Sequence, residues 1–189
     1  MEAAGPVLWQ NVEMPTLYLV RHGIAEDRSS SGRDEDRSLS QEGTVKLQRA
    51  AAGLSALDIQ LDTITASPLL RARQTATIMR DALAEGLEIT IDPELRPEAD
   101  IEAVAQRLQV GAGARSMMLV GHEPSISALA AALLTGSPHG ARLPFKPGSV
   151  AAIELPNLPP VDRGTLRWFL TPDLLDRLAL PLPLRVAKA

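Results

Sequence analysis

The sequence predicts an α/β fold: a three-layer α/β/α sandwich around a mainly parallel central sheet, closed by a late antiparallel pair of strands. Three observations carry that expectation. Wholly apolar runs such as Leu17-Tyr18-Leu19-Val20 stop abruptly at polar turns, the pattern of strands covered on both faces. Segments with apolar residues at helical spacing alternate with those runs. Two late runs, Val150 to Leu155 and Leu166 to Leu170, are separated only by the proline-rich stretch Pro156 to Gly164, which leaves no room for a crossover helix and makes them antiparallel.

Taken in order, Leu17 to Val20 is the first strand. The charged run Arg28 to Arg37 reads as a mobile polar loop, and its place after the first strand also offers a rim for a partner. Ser40 supplies an N-cap for a helix that turns Val45, Leu47, Ala51 and Leu54 inward. Asp62 to Ala66 is a second strand. Ser67-Pro68 then offers an N-cap and a proline at the first helical position, opening a helix to about Glu85. Leu87 to Ile91 follows as a strand and Ile101 to Gln109 as a short helix. Ser116 to Val120 is a further buried strand, and Ser125 to Leu134 a helix. With 189 residues the expectation is one domain over 1–189, its core at about 15–172.

Composition narrows the function. Net charge is −4, so bulk electrostatics advertise no nucleic-acid and no acidic-membrane partner, and any anion site must gather its positive charge locally. The chain has no cysteine, which excludes disulfides, thiolate metal ligands and every cysteine nucleophile. Met1 to Pro15 shows neither the basic nor the apolar segment of a secretory signal, and the longest apolar run, Ala128 to Leu134, is too short to cross a bilayer. A cytoplasmic, soluble protein is expected.

In open α/β sheets ligands bind beyond the carboxyl ends of the strands. At those ends stand Arg21-His22-Gly23, Ser67-Pro68-Leu69-Leu70-Arg71 and Gly121-His122-Glu123-Pro124, which bring two of the three histidines and two arginines to one edge. Such residues suit phosphoryl transfer. Arg21 and Arg71 offer planar forks that match phosphate oxygens and stay charged. A neutral His22 imidazole attacks phosphorus well, and two nearby guanidinium groups favour its neutral form. His122, protonated once phosphate is bound, can donate to an oxygen in flight, and Gly23 lets the backbone approach the anion. Helix N-termini at Pro68 and Ser125 add positive dipole ends. Stepping back four residues from Thr75 along the apolar stripe Thr75, Ile78, Met79, Ala82 reaches Arg71, so Arg71 faces inward; Arg73 shares the solvated face of Thr77 and Arg80. No metal or other cofactor is called for.

Plainer readings stand beside these. His139 lies in a loop, Lys146 is solvated, Ser67 serves as an N-cap more readily than as a substrate ligand, and Gly111-Ala112-Gly113 precedes a strand instead of following one, unlike a nucleotide loop.

Leu-Val-Arg-His-Gly at 19–23, Ser-Pro-x-x-Arg-Ala-x-Gln-Thr at 67–75 and Gly-His-x-Pro at 121–124 resemble the histidine phosphatase superfamily, whose fold is phosphoglycerate mutase-like. Arg-His-Gly-Ile-Ala-Glu at 21–26 and Lys-Pro-Gly-Ser-Val at 146–150 look like its compact SixA-type phosphohistidine phosphatases. The resemblance runs from about Leu17 to Leu170. It implies a phosphatase acting through a phosphohistidine intermediate on His22, with Arg21, Arg71 and His122 completing the phosphate pocket. Larger members place a proton-donating glutamate after the third strand. Glu94 is the nearest match here, with Asp100 behind it, although SixA-type members are thought to dispense with that donor. The implied partner is a phosphorylated protein of the histidine-phosphotransfer type; the alternatives are a small phosphorylated metabolite handled by the same mechanism, and a non-catalytic phospho-ligand binding module. A mutase or a zinc enzyme fits the residues less well.

Overall fold

The computed structural model describes residues 14–108, 113–158, 160 and 162–179. Six strands form one sheet: β1 (Thr16–Arg21), β2 (Thr63–Ala66), β3 (Ile89–Ile91), β4 (Ser116–Gly121), β5 (Val150–Glu154) and β6 (Thr165–Leu170), in the order β3-β2-β4-β1-β5-β6. The first four run parallel, β5 is antiparallel to β1, and β6 is antiparallel to β5. Among the described residues five helices flank the sheet: α1 (Gln41–Ser55), α2 (Leu70–Leu83), α3 (Ile101–Arg107), α4 (Ser125–Thr135) and α5 (Pro172–Ala179). The α/β sandwich with its late antiparallel pair is therefore present.

Strand pleating sends successive side chains to opposite faces. Val20, Ile64 and Met118 join one core, shared with Leu47 and Leu54 of α1, Met79 of α2 and Leu175 of α5. Leu17, Leu19, Met117 and Leu119 join the other, shared with Val104 of α3 and Ile126, Leu129 and Leu133 of α4. Each fully buried Leu, Ile, Val or Met contributes about 1.5–3 kcal/mol, so the strands hold the layers together from both sides. Among the described residues no helix is long and apolar enough to cross a membrane.

Several local expectations need correction. Ser40 does cap α1, accepting from Gly43 N at 3.0 Å, but Val45 is exposed while Leu47, Ala51 and Leu54 are buried. The inward stripe of α1 is narrower than its apolar residues suggest. Ser67-Pro68 does not start α2: the N-cap position is Leu69, which makes no side-chain cap, and Ser67 serves elsewhere. Of the stripe of α2, Thr75 and Met79 are buried, Ile78 is half-buried and Ala82 is exposed. The charged run is not a free loop. It folds into a 3-10 turn at Asp34–Asp36 held by ion pairs, including one to α2. The core also extends beyond 172, because α5 packs along α1 with Leu175 fully buried. Gln109, the end of the expected third helix, and most of Gly111-Ala112-Gly113 lie outside the described residues.

Candidate active site

The parallel register sets three strand ends flush. Arg21 of β1 lies opposite Gly121 of β4, and Ala66 of β2 opposite Val120. The next residues are tied across the same edge: His22 N donates to Gly121 O at 3.0 Å and Ser67 N to Val120 O at 3.0 Å. Topology alone thus brings together turns separated by about a hundred residues of sequence. The rings of His22 and His122 stand 4.9 Å apart, centroid to centroid, inclined at 56°.

The turn after β1 fixes the tautomer of His22. Its Nδ1 lies 2.7 Å from the carbonyl oxygen of Gly23, which can only accept, so Nδ1 carries the proton and Nε2 the lone pair. Nε–H of Arg71 reaches that lone pair at 3.3 Å. Burial, first, and the positive charges of Arg71, Arg21 and Arg37 pull the imidazole down to about 4, against an upward pull from the Gly23 carbonyl. The expected effect of the arginines is present, but burial is the larger cause. The Gly23 N–H donates to Thr75 Oγ1 at 3.1 Å while its oxygen holds His22 Nδ1, so both of its backbone groups orient the turn that carries His22.

His122 is 2 % exposed, and its Nε2 lies 2.8 Å from Ser67 Oγ, whose oxygen also accepts from Leu69 N at 3.4 Å. Burial, then the neighbouring His22, Arg71 and Arg21, lower its imidazole to about 3, opposed by Asp34. Burial therefore favours the neutral form of His122 in the anion-free protein. Among the described residues its Nδ1 is buried without a hydrogen-bond partner, as is Nε of Arg21. Arg21 is anchored by Nη1, which donates to Phe145 O at 2.6 Å; burial draws its guanidinium below the ordinary value, offset by Glu123, and it stays charged.

Arg71 sits in the first turn of α2, buried and inward as its spacing predicts, while Arg73 is exposed. Two further residues of the 67–75 motif also acquire a reason. Gln74 Oε1 accepts from Leu39 N at 2.7 Å, and Thr75 Oγ1 donates to Arg71 O at 2.8 Å while accepting from Gly23. They tie α2 to the segments before α1 and after β1. Glu94 belongs to a 3-10 turn, Pro93–Leu95, where its carboxylate faces Arg107 of α3 at 3.9 Å. Asp100 caps α3 through Glu102 N and Ala103 N. His139 and Lys146 are exposed. Reading the sequence missed Ser67 as the partner of His122, Thr75 as the tie to Gly23, and Asp34, whose carboxylate bonds Arg71.

Residues 17–101 match the family model described as the histidine phosphatase superfamily, branch 1. An uncharacterized protein of Picosynechococcus sp. is 37% identical over 123 residues, 64% of this chain and 73% of its own length. Phosphohistidine phosphatase SixA of Escherichia coli is 27% identical over 158 residues, covering 82% of this chain and 93% of that protein. The structure of the protein histidine phosphatase SixA complexed with tungstate superposes with a TM-score of 0.74 at 27% identity, covering 84% of this chain and 97% of the other.

Proposed function

The chain belongs to the histidine phosphatase superfamily and is a phosphoryl-group hydrolase, and from that premise we propose that it removes phosphate from phosphohistidine on a protein, through His22. The observation that carries the reading is the tautomer lock on His22. With Nδ1–H committed to Gly23, the lone pair stands on Nε2, where Nε–H of Arg71 reaches it beside a second imidazole and within the field of Arg21.

The chemistry divides into two displacements. Nε2 of His22 attacks phosphorus, a new N–P bond forms, and the N–P bond of the substrate breaks with its electron pair going to the departing imidazole, which takes up a proton from solvent. Water then attacks the phosphohistidine; its oxygen bonds to phosphorus, the N–P bond returns its pair to Nε2, and the water proton leaves with phosphate or solvent. Charge on the equatorial oxygens is met by Arg21 and Arg71 and by the unpartnered Nδ1 of His122. Phosphate oxygens accept, so Nδ1 carries a proton in the complex. If Ser67 donates to Nε2, a neutral His122 can supply that hydrogen bond without becoming a cation.

Two features support a phosphohistidine substrate over an alkyl phosphate. An imidazole leaving group, pKa roughly 6.5, needs little help from an acid, whereas an alkoxide needs a donor. Of the two sequence candidates for such a donor, Glu94 faces Arg107 and Asp100 caps α3. The segment 136–149 between α4 and β5 forms no helix or strand that would roof the site, which suits a folded protein as substrate.

The test is incubation with a histidine-phosphotransfer domain carrying labelled phosphate. Label should pass to the enzyme and be released, and His22→Ala should neither acquire label nor release it. In parallel, sugar and nucleotide phosphates are offered to the wild type and to Glu94→Gln. Rapid turnover of one of these, lost in Glu94→Gln, together with no action on the phosphoprotein, would overturn the substrate assignment.

A further inference from the structure

Asp34, within the charged run that reads from sequence as a polar loop, grips Arg71 at two points. Arg71 turns the end of its guanidinium toward it: Nη1 donates to the Asp34 carbonyl oxygen at 2.9 Å and Nη2 to Oδ2 at 3.0 Å. The other carboxylate oxygen, Oδ1, accepts from Nη1 of Arg37 at 2.8 Å, and Arg37 is pinned again by its Nε on Glu26 O at 2.6 Å.

A guanidinium group has two usable edges, one formed by Nη1 and Nη2 and one by Nε and Nη2. Asp34 occupies the first. The second is the edge that carries Nε, the atom 3.3 Å from Nε2 of His22. Parallel to Nε–H on that edge lies an N–H of Nη2. An arginine gripped at its end therefore presents a two-toothed fork to any phosphoryl group seated on His22.

We propose that Asp34 is a positioning residue: it locks the end of Arg71 so that the side edge meets phosphate, and it holds Arg37 as an additional cation at the mouth of the pocket. The reading rests on Arg71 being a phosphate ligand, as proposed above. Without the carboxylate, the end of Arg71 keeps only its bond to the Asp34 carbonyl oxygen and its Nε contact with His22, and fixing its orientation falls to the substrate. Arg37 contributes to the positive potential at His22, which accords with its placement.

The opposite possibility is physically reasonable and is what the experiment must separate. A carboxylate on a phosphate-binding arginine could compete with the anion, and removing it would then tighten binding.

Tungstate binding, measured by calorimetry, reads the pocket without reference to the physiological substrate. Asp34→Ala should weaken tungstate affinity at least tenfold, and Asp34→Asn, which keeps an oxygen acceptor of the same size, should recover part of that loss. Melting temperature should fall only modestly, because the Asp34 side chain is 60% exposed and Arg71 keeps its bond to the Asp34 carbonyl oxygen. In an Arg71→Ala background the further change Asp34→Ala should matter less than threefold, since its main route to the anion, through Arg71, is gone and only its hold on Arg37 remains. Unchanged or tighter tungstate binding in Asp34→Ala overturns the proposal, as does full additivity with Arg71→Ala. Arg71→Ala that binds tungstate normally would overturn the assignment of Arg71 itself, a result distinct from either.

Discussion

Ser67 Oγ and His122 Nε2 lie 2.8 Å apart in a region closed to solvent. The contact leaves Nδ1 as the free nitrogen of a neutral ring, so the serine decides which end of the imidazole can serve an anion.

Replacing Ser67 with Ala therefore strips His122 of its partner without touching the anion. The expected result is a loss of about tenfold in kcat/KM and in tungstate affinity, the effect of one buried hydrogen bond worth roughly 1.4 kcal/mol. A packing defect alone would lower stability while leaving the ring's tautomer as it was. Nitrogen NMR of the imidazole separates the two: the tautomer ratio of His122 should change in Ser67→Ala, and an unaltered ratio with unaltered tungstate affinity refutes the role.

Acid stability provides a second check. The imidazoles of His22 and His122 are lowered in the folded protein from 6.5 to about 4 and about 3. Between pH 6.5 and those values the unfolded chain binds more protons than the folded one, so stability is fully present above the unfolded value and falls as pH drops. We expect unfolding free energy to decrease by at least about 1 kcal/mol between pH 7 and 4.5, about 2–4 °C in Tm. The double variant His22→Gln, His122→Gln should show a visibly flatter profile across that window in urea titrations. Equal slopes would mean that other groups carry the effect.

The parts of the site that were legible in the sequence are those set by the chain's own periodicity. β1 and β4 are apolar on both faces, so their ends are marked, and the residues beyond them, His22 and His122, fall at one edge by topology. Arg71 was legible because helical spacing separates it from Arg73. What was not legible depends on partners distant in sequence. Ser67 looks locally like an N-cap followed by a first-turn proline, but that serine is held against His122, 55 residues away, and the helix starts later. Asp34 looks like one charge among many until α2 folds over it, 37 residues downstream. Its neighbours Arg33 and Asp36 pair on the surface, and nothing in residue type distinguishes the one that reaches inward.

Two glycines on α1 offer a comparison between catalysis and stability. A Cβ on Gly43 would overlap the carbonyl oxygen of Ile24, two residues after His22, and the same oxygen already accepts from Ser40 N at 2.9 Å. A Cβ on Gly53 would overlap the carbonyl oxygen of Leu175, where α5 lies against α1. Both obstacles are backbone atoms and cannot rotate away, so Gly43→Ala and Gly53→Ala should each destabilise by about 1–3 kcal/mol. Their effects on turnover should diverge. Moving Ile24 displaces the turn that orients His22, and kcat/KM at a temperature well below melting should fall about tenfold or more, because small displacements of a nucleophile are costly. Moving Leu175 disturbs the apolar core beneath α1, and activity should stay within about threefold. Urea denaturation paired with initial rates on a chromogenic phosphate measures both quantities. If the two variants lose activity in proportion to stability alone, the close approach of Gly43 to Ile24 is not what holds the catalytic turn in place.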